Sequence, residues 1–583
     1  MKFIFSIHIL ILLFLGFQVE SCANEPVLPQ GKAPAVQTPV DGIRIAWDYS
    51  SMVKIAPANN QPPGYYGYAR LIQLHDKRLA CVYETSAGNI ELTFSLDLGK
   101  SWESPQIVFE TKNNIAMAVP EIIDLKDHSI LVGCNPRPRK PYTDDRKFGI
   151  KVRKSNDDGK NWLPEQVIYE ALSTFENGCW EPAFAQLPSG EVQLFFANEG
   201  IYTTSNEQNI SMFKSADSGK TWTTTPIIIG FRAGCRDGMP VPLLLPEKNE
   251  LLIAVEDNKV GEFKPAIYRE KLTDNWADGF ISANDSRRLY QPLKDQLADN
   301  IYAGAPYLAR LQSGEVLLSY QANINRTNLW NQSAMVVEIG DDRGTLFSRR
   351  SIPFDIPSTK SGLWNSLAVI QGSTPVAITS TNGFSSNSTE VWMIKGHVIP
   401  EFVVLQGTPT VDGKITDACW QQEWPYFVGH KNNVQMKAML CLDETNLYWA
   451  ARIDEADLSV DANNEVVFQL DTERKGYEKP HTGIFAIHCN LNGNLTVEEG
   501  NSGNWENQKE TAALHYKITK QGNSYGIELS VPRKYFKKDL KKENAMGINF
   551  MLKYKLKSGF TVEETVSSND NNRPYTWSPI RTN

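Results

Sequence analysis

An eight-residue pattern, Ser-x-Asp-x-Gly-x-x-Trp, occurs three times in this chain, at residues 95–102, 155–162 and 215–222. The copies start 60 residues apart. Each copy predicts a turn, because an Asp side chain accepts hydrogen bonds from nearby backbone N–H groups and Gly adopts backbone angles that other residues avoid. One copy alone would indicate a surface turn and nothing more. The fixed long interval indicates an array of repeated supersecondary units.

A second repeat accompanies the turns, because six segments have the form apolar strand, short polar turn, apolar strand, which is typical of a β-hairpin. The six segments begin at Ala69, Pro120, Pro182, Pro240, Ala305 and Leu363. The turn pattern follows the first three hairpins. A degenerate fourth copy at residues 340–347, with Asp342 in the place of the aspartate, follows the fifth. Six hairpins, each completed by two further strands, predict a six-bladed β-propeller over residues 42–402, whereas a series of β-sandwiches is disfavoured by the regular spacing.

Residues 403–583 change character and predict a β-sandwich, so the whole chain is expected to be all-β. The segment opens with the pattern Asp-Gly-x-Ile-x-Asp-x-x-Trp at residues 412–420, and Trp577 lies near its end. These features resemble the family 9 carbohydrate-binding modules. In that family aromatic rings hold a terminal sugar, so the resemblance implies Trp505 and Trp577 as sugar-binding residues. Packing in the core is the alternative for each ring.

The N-terminus, residues 1–22, predicts an export signal. Lys2 precedes an apolar run over residues 3–17 that is short for a membrane span. The segment ends at Ser21-Cys22, which resembles a bacterial lipoprotein signal and implies lipidation of Cys22, with plain secretion as the alternative. Residues 23–41 contain four prolines and predict a flexible linker. The expected location is the cell envelope of a Gram-negative bacterium, in the outer membrane or the periplasm, with membrane contact only through the lipid anchor.

Composition and charge exclude several partners. The formal net charge is −8 without a basic block, so nucleic acid is not expected as a partner. The seven cysteines after Cys22 are scattered and lack Cys-x-x-Cys spacing. They indicate neither a disulfide framework nor a zinc site, and no cofactor or metal is expected. The 14 Trp and 21 Tyr suit a glycan as partner, although packing of a propeller also consumes aromatic rings.

Alignment of the six hairpins predicts which residues share one pocket, because the innermost strand of each blade lines the central channel and ligands bind where those strands end. Two carboxylates stand out there, Glu181 and Glu256, since each ends a strand among apolar or aromatic neighbours. Partial burial raises the pKa of such a group, as a general acid requires, and two carboxylates are the minimum for glycoside hydrolysis. The residues expected to position the sugar are Arg70, Glu121, Arg236, Asp237, Tyr302 and Tyr307.

The turn patterns resemble the Asp boxes of the sialidase superfamily of propellers. Three segments, Pro120-Glu121, Trp180-Glu181-Pro182 and the run from Arg236 to Pro240, are similar to glycoside hydrolase family 93, the exo-acting α-1,5-L-arabinanases. That family uses a retaining mechanism with two glutamates. The resemblance therefore implies Glu181 as acid/base, Glu256 as nucleophile, and release of terminal sugars from an arabinan-type polysaccharide without a cofactor.

Two alternatives remain open from the sequence. An exo-α-sialidase holds the substrate carboxylate with three arginines. Here Arg70 has altered neighbours, Glu256 stands where a sialidase arginine is expected, and the fifth and sixth hairpins supply no clear third arginine. A tyrosine nucleophile would have to come from Tyr302, Tyr307 or Tyr320. The other alternative is a glycan-binding protein without activity, which the acid-rich rim disfavours.

Overall fold

The computed structural model describes residues 45–398 except Val260, and most of residues 402–582. The gaps in the second part are 423, 425, 430–433, 456–462, 475–476, 478, 509, 537–545, 566–570 and 575–576. The predicted signal segment, its Cys22 and the linker to residue 41 lie outside the described residues. Among the described residues, no helix has the length and apolar character needed to cross a membrane.

Twenty-four strands form six four-stranded antiparallel sheets, which confirms the six-bladed β-propeller. The strand β1 (Ile45–Ala56) belongs to the last blade, blade 6. Blade 1 contains β2 (Tyr66–Gln73), β3 (Leu79–Thr85), β4 (Ile90–Ser95) and β5 (Gln106–Phe109), and blade 2 contains β6 (Ile115–Asp124), β7 (Ile130–Pro138), β8 (Gly149–Ser155) and β9 (Gln166–Glu170). Blade 3 contains β10 (Cys179–Gln186), β11 (Val192–Asn198), β12 (Asn209–Ser215) and β13 (Ile227–Gly230), and blade 4 contains β14 (Asp237–Leu245), β15 (Glu250–Asp257), β16 (Lys264–Lys271) and β17 (Arg288–Tyr290). Blade 5 contains β18 (Ala303–Arg310), β19 (Val316–Ala322), β20 (Ala334–Ile339) and β21 (Ser348–Ser351), and blade 6 contains β22 (Gly362–Ile370), β23 (Thr374–Thr381), β24 (Glu390–Val398) and β1.

The N-terminal strand closes the ring of blades. β1 pairs antiparallel with β24, so residues from both ends of the propeller share one sheet. Trp47 of β1 is fully buried, and its indole Nε1 donates to Ser351 Oγ of blade 5 at 3.1 Å. The second strands β3, β11 and β19 bury every residue, because each blade packs between two neighbouring blades.

The repeated turns connect the third and fourth strands of blades 1 to 3 and work as predicted. In the first copy Ser95 Oγ accepts the Gly99 N–H at 2.8 Å, and Asp97 Oδ1 accepts the Ser101 N–H at 2.9 Å. Gly99 has φ +88°, in the left-handed region. The fourth copy differs from the prediction by one position, because Asp341 rather than Asp342 accepts the N–H four residues ahead, from Thr345 at 2.7 Å.

The remaining thirteen strands form the predicted β-sandwich. They are β25 (Phe402–Gln406), β26 (Tyr426–Gly429), β27 (Val434–Leu442), β28 (Asn446–Glu455), β29 (Glu465–Asp471), β30 (Ile484–Asn490), β31 (Leu495–Asn501), β32 (Asn504–Gln508), β33 (His515–Gln521), β34 (Ser524–Pro532), β35 (Met546–Lys555), β36 (Thr561–Thr565) and β37 (Ser578–Thr582). One layer has the order β26-β27-β28-β34-β33 and the other β32-β31-β30-β29-β35, with β36 and β37 beside β35. β25 pairs with both β27 and β37, so it joins the layers at one edge. Short 3-10 helices lie at Phe175–Asn177, Pro246–Lys248, Trp330–Gln332, Ala418–Trp420 and Arg533–Phe536.

The Asp-Gly pattern that opens the sandwich is held by one buried carboxylate. Glu528 Oε2 accepts the N–H groups of Asp412 and Gly413 at 2.9 and 2.7 Å, and Glu528 Oε1 accepts Trp420 Nε1 at 2.7 Å. Glu528 is 1% exposed. The spacing of Asp412, Gly413 and Trp420 in this pattern is therefore explained by folding of the sandwich.

Candidate active site

Every innermost strand of the propeller carries a β-bulge at the same place, near its first residues. One residue of each bulge, here called the bulge residue, has a left-handed φ between +47° and +54°. The bulge residues are Tyr68, Val119, Glu181, Met239, Ala305 and Trp364. A bulge redirects a side chain out of the regular alternation of a strand. Five of these side chains form one apolar cluster in the channel, and the sixth is the carboxylate of Glu181.

The strained bulges are stabilised by bonds between neighbouring blades. In four blades, a side chain at the end of the second strand accepts a hydrogen bond from the backbone N–H of the bulge residue in the next blade. We call this location at the end of the second strand the clasp position. The four bonds of this kind are Glu84 to Val119 (2.6 Å), Glu256 to Ala305 (3.0 Å), Gln321 to Trp364 (2.7 Å) and Ser380 to Tyr68 (3.1 Å). A left-handed φ at a residue other than Gly costs about 1–3 kcal/mol and persists only where the surroundings enforce it.

Blade 3 departs from this scheme at the point where Glu181 lies. Its clasp position is Ala197, opposite Trp180, and Ala has no side-chain acceptor. The N–H of Met239 in blade 4 instead lies near the carboxylate of Glu181 and lowers its pKa. Glu181 therefore lies where blade 3 offers no clasp side chain.

The surroundings of Glu181 favour its protonated form. The side chain is 16% exposed, and burial is the main cause that raises its pKa to about 8. Arg137, whose Nη2 lies 3.9 Å from Glu181 Oε1, lowers the pKa, and the charges of Glu256 and Glu199 raise it. Glu181 can therefore hold a proton at neutral pH.

Glu256 is the second carboxylate of this site. It is half-buried, and burial raises its pKa, while the Ala305 N–H and the charge of Arg236 lower it. Close approach of the neighbouring strand depends on Gly304, because a Cβ there would lie 2.8 Å from Glu256 Oε2. The charge of Glu256 raises the pKa of Glu181, so the two carboxylates lie within electrostatic range of each other.

Aromatic rings from blades 1, 5 and 6 stand beside the two carboxylates. Tyr68 and Trp364 are stacked, with ring centroids 4.5 Å apart and an angle of 11° between the planes. Trp330 lies 6.2 Å from Trp364 and 6.0 Å from Tyr302, whose hydroxyl accepts Gln321 Nε2. Trp330 and Trp364 are half-buried. This aromatic wall offers apolar ring faces next to two acids, which is the composition of a ligand pocket.

Three predicted sugar-positioning residues contact one another deeper in the channel, two residues beyond the bulges. Arg70 Nε lies 3.5 Å from Glu121 Oε2, and its guanidinium lies 5.1 Å from the Tyr307 ring centroid. Burial raises the pKa of Glu121 to about 7, against the lowering effect of Arg70. Arg70 and Glu121 are 4% and 7% exposed. These residues form one contact group in the layer below the bulge residues.

Arg236 and Asp237, although adjacent, have different surroundings. Arg236 Nη2 donates to Glu199 Oε1 at 2.6 Å, and the same carboxylate oxygen accepts Trp180 Nε1 at 2.8 Å. Arg236 thus supports the residue that precedes Glu181.

Asp237 does not reach the pocket surface, in contrast to the expectation that it positions the sugar. It is 0% exposed, and its carboxylate forms ion pairs with Arg232 at 2.6 Å and Arg288 at 2.7 Å. These bonds lie within blade 4 and its entry loop.

Four residues of the pocket escaped the sequence analysis: Tyr68, Arg137, Trp330 and Trp364. Arg70, Ser366 and Ala183 occupy the same position in the alignment of the hairpins. Tyr68, Trp364 and Glu181 each lie two residues before that position, so the alignment that identified Glu181 also contained the signal for Tyr68 and Trp364. Arg137 lies two residues beyond Asn135 on β7, and its Nε donates to Asn135 Oδ1 at 2.6 Å.

The two tryptophans proposed for the sandwich differ in accessibility. Trp577 is 0% exposed, so its ring presents no surface to a ligand and fits the alternative of core packing. Trp505 lies on β32 and is half-buried against Val467, Ala486 and Met551. Its Nε1 donates to Asn572 Oδ1 at 2.9 Å. Of the two, Trp505 keeps a ring face at the surface.

The chain matches no protein-family model and no curated protein. Among solved structures, a protein of unknown function from Dyadobacter fermentans is 14% identical, with 61% of this chain and 99% of that chain covered and a TM-score of 0.47. A family GH93 α-L-arabinofuranosidase of Fusarium graminearum, solved with arabinobiose, is 18% identical over 59% of this chain and 97% of its own (TM-score 0.44). A family 9 carbohydrate-binding module from Caldicellulosiruptor kristjanssonii, solved with cellotriose, is 18% identical over 31% and 93% (TM-score 0.27). At these identities function has to be inferred from the chain's own side chains.

Proposed function

We propose that this protein is an exo-acting retaining glycoside hydrolase that releases terminal sugars from a polysaccharide, with an arabinan-type substrate favoured. One observation carries the proposal: two largely buried carboxyls, Glu181 with a side chain 16% exposed and the half-buried Glu256, lie beside an aromatic wall, and burial raises the pKa of Glu181 to about 8. A general acid must be protonated at the working pH, and its partner must be ionised to attack.

In the proposed mechanism the proton is assigned to Glu181, whose pKa is raised to about 8, and the attack to Glu256. Glu181 donates a proton to the leaving oxygen while Glu256 attacks the anomeric carbon, and water then releases the sugar with Glu181 as base. The charge of Glu256 raises the pKa of Glu181. Once Glu256 is esterified that charge is gone, so the pKa of Glu181 falls and the group becomes a base for the second step.

The shape of the channel supports attack at chain ends. Arg70, Glu121 and Tyr307 contact one another below the bulge residues, so a polysaccharide chain does not thread through the propeller. A terminal sugar enters from one side and stops at this layer. Exo-action is the consequence of such a closed pocket.

The arginines near the pocket argue against a sialidase. Each of the three described here faces a carboxylate: Arg70 faces Glu121, Arg137 faces Glu181, and Arg236 faces Glu199. A substrate carboxylate would have to compete with these acids. A neutral sugar, as in arabinan, meets no such competition.

A second candidate function, sugar binding without turnover, is favoured by one observation. Glu256 occupies the clasp position, which Glu84, Gln321 and Ser380 fill in other blades for a structural bond. If that bond is the whole role of Glu256, the pocket has one acid and no nucleophile.

Amide substitutions separate the two functions. Gln321 already serves the clasp position, so Glu256→Gln keeps the bond to Ala305 while removing the nucleophile. On linear arabinan, read by product chromatography, Glu181→Gln and Glu256→Gln should each lower kcat at least about 100-fold. Glu84→Gln, the same change at the clasp position of blade 1, should leave kcat near that of the native protein. Equal activity of Glu256→Gln and the native protein, absence of native turnover, or release of sialic acid from a sialyl reporter would each overturn the proposal.

Azide assigns the roles of the two glutamates. In Glu181→Gln, azide should attack the glycosyl-enzyme and give a sugar azide of retained configuration. In Glu256→Ala, azide should enter the vacant nucleophile position and give the inverted product. The opposite pair of results would exchange the two roles.

A further inference from the structure

Two histidines and an aspartate meet at the end of the propeller opposite the pocket. His75 lies in the turn between β2 and β3, Asp124 is the last residue of β6, and His128 lies in the turn that follows it. One nitrogen or oxygen atom from each side chain lies within 4.8 Å of the other two. Asp124 is five residues, about 16 Å of strand, from the bulge residue Val119. The cluster is therefore separate from the two carboxylates of the proposed active site.

The aspartate of this cluster is oriented in advance. Asp124 Oδ2 accepts the backbone N–H of His75 at 2.6 Å and lies 2.9 Å from His75 Nδ1. Its other oxygen, Oδ1, is buried and has no hydrogen-bond partner among the described residues. A buried carboxylate oxygen without a partner is costly unless a ligand satisfies it.

The imidazoles are close to each other and to a further acid. The ring centroids of His75 and His128 lie 4.2 Å apart with the planes at 34°. His75 Nε2 lies 3.6 Å from Asp158 Oδ1, in the second copy of the repeated turn. Asp124 and Asp158 thus contact the two different ring nitrogens of His75, and only Asp124 shares one small volume with both imidazoles.

Cationic side chains of the same turns do not oppose a bound cation. Arg78 Nε is paired with Asp76 Oδ2 at 2.6 Å, and Lys154 Nζ lies 3.3 Å from Asp127 Oδ2. Both charges are therefore directed to other carboxylates. Neither cation is paired with Asp124, so the negative charge of Asp124 can balance a metal ion.

We propose that His75, Asp124 and His128 form a binding site for a divalent transition metal of the zinc class, which joins blades 1 and 2. Imidazole nitrogens select zinc, nickel or copper over calcium and magnesium, which prefer oxygen. Tetrahedral Zn–N and Zn–O distances of about 2.0–2.2 Å require ligand atoms about 3.3 Å apart. The two histidines are exposed and can close that distance by small side-chain rotations. Water completes the coordination.

Zinc titration of the full chain tests this proposal. After dialysis against EDTA, calorimetry with ZnCl2 should show one saturable site per chain, and zinc should raise the temperature of unfolding by a few degrees, because the ion binds only the folded form. His128→Gln removes one ligand from an exposed turn and should weaken binding at least tenfold. The matched control is His515→Gln, which changes an exposed histidine of the sandwich and should bind zinc as the native protein does.

A second measurement, the absorption spectrum of bound cobalt, separates loss of a ligand from misfolding of a variant. Cobalt should give the visible absorption of a four-coordinate site in the native protein and in His515→Gln, and lose it in His128→Gln and His75→Gln. Absence of a saturable site, unchanged zinc affinity in His128→Gln, or loss of the site in His515→Gln would each overturn the proposal. Glycoside hydrolysis is not needed for either readout, so failure here leaves the proposed function untouched.

Discussion

At the scale of single residues, Arg137 controls the acid of the proposed mechanism. Its guanidinium lies 3.9 Å from Glu181 and 4.9 Å from the Trp180 ring centroid, and its charge lowers the pKa of Glu181. Arg137→Gln should therefore raise that pKa further. Activity that requires protonated Glu181 is lost as the pH rises through this pKa, so the alkaline limb of kcat/KM should move to higher pH.

The pH profile of a neighbouring variant gives the control. Arg139 lies on the same edge of blade 2 and donates to the Ala87 carbonyl at 3.1 Å. Arg139→Gln should leave the alkaline limb where it is in the native protein. A shift to lower pH in Arg137→Gln would mean that Glu181 is not the acid.

Trp330 allows a separate test of the aromatic wall. Its ring is half-exposed on the short helix Trp330–Gln332, so truncation removes a sugar contact and little of the core. Trp330→Ala should raise KM about tenfold, or about 1.4 kcal/mol of binding, with kcat changed much less. Leu329→Ala removes an adjacent side chain that is 51% exposed and should leave both constants unchanged. An equal fall of kcat in Trp330→Ala would assign this ring to the transition state instead of substrate binding.

At the scale of elements, the clasp bonds predict which polar groups hold the blades in register. Ser380 Oγ accepts the N–H of Tyr68 at 3.1 Å, across the junction between the last and first blades. Ser380→Ala leaves this buried N–H without a partner and should lower the free energy of unfolding by about 1–3 kcal/mol. Ser319→Ala, which removes an equally buried hydroxyl that has no hydrogen-bond partner among the described residues, should lower the free energy of unfolding much less. Urea denaturation measures both, and equal losses would show that the clasp bond adds nothing.

The same elements show what the sequence could and could not reveal. The hairpins and turns were predictable, because apolar runs and Asp-x-Gly patterns express local backbone requirements. The bulges could not be predicted from the sequence. The left-handed backbone conformation of Val119 and Trp364 is imposed by hydrogen bonds to the neighbouring blade, and no local sequence pattern indicates it. Glu181 was found through its flanking residues. The burial of Asp237 could not be foreseen, since Arg232 in the entry loop and Arg288 in the outermost strand of blade 4 both lie outside the aligned hairpins.

At the scale of the whole molecule, the chain consists of two sheet systems with separate cores. The last propeller strand ends at Val398 and the first sandwich strand begins at Phe402. Arg573 Nη2 of the sandwich lies 3.1 Å from Asp355 Oδ2 of the propeller, with the side chains 24% and 43% exposed. An exposed ion pair of this kind contributes at most about 1 kcal/mol. Within the part of the chain that the structure describes, each of these buried apolar clusters, which supply most of the stability, contains residues of one part alone.

Two buried tryptophans test whether each core unfolds by itself. Trp47 joins β1 to blade 5 at the closure of the ring, whereas Trp449 stacks on Phe468 and Phe550 in the sandwich. Truncation of either tryptophan to Ala should lower the free energy of unfolding of the part that contains it by about 3–5 kcal/mol. In calorimetry, Trp47→Ala should lower the temperature of one unfolding transition and Trp449→Ala that of the other, because the two rings belong to separate apolar clusters of the described residues. A single transition lowered by both changes would mean that the parts unfold as one cooperative unit. In that case the closure of the propeller by β1 would depend on the sandwich that follows β24, and an isolated propeller could not carry the activity.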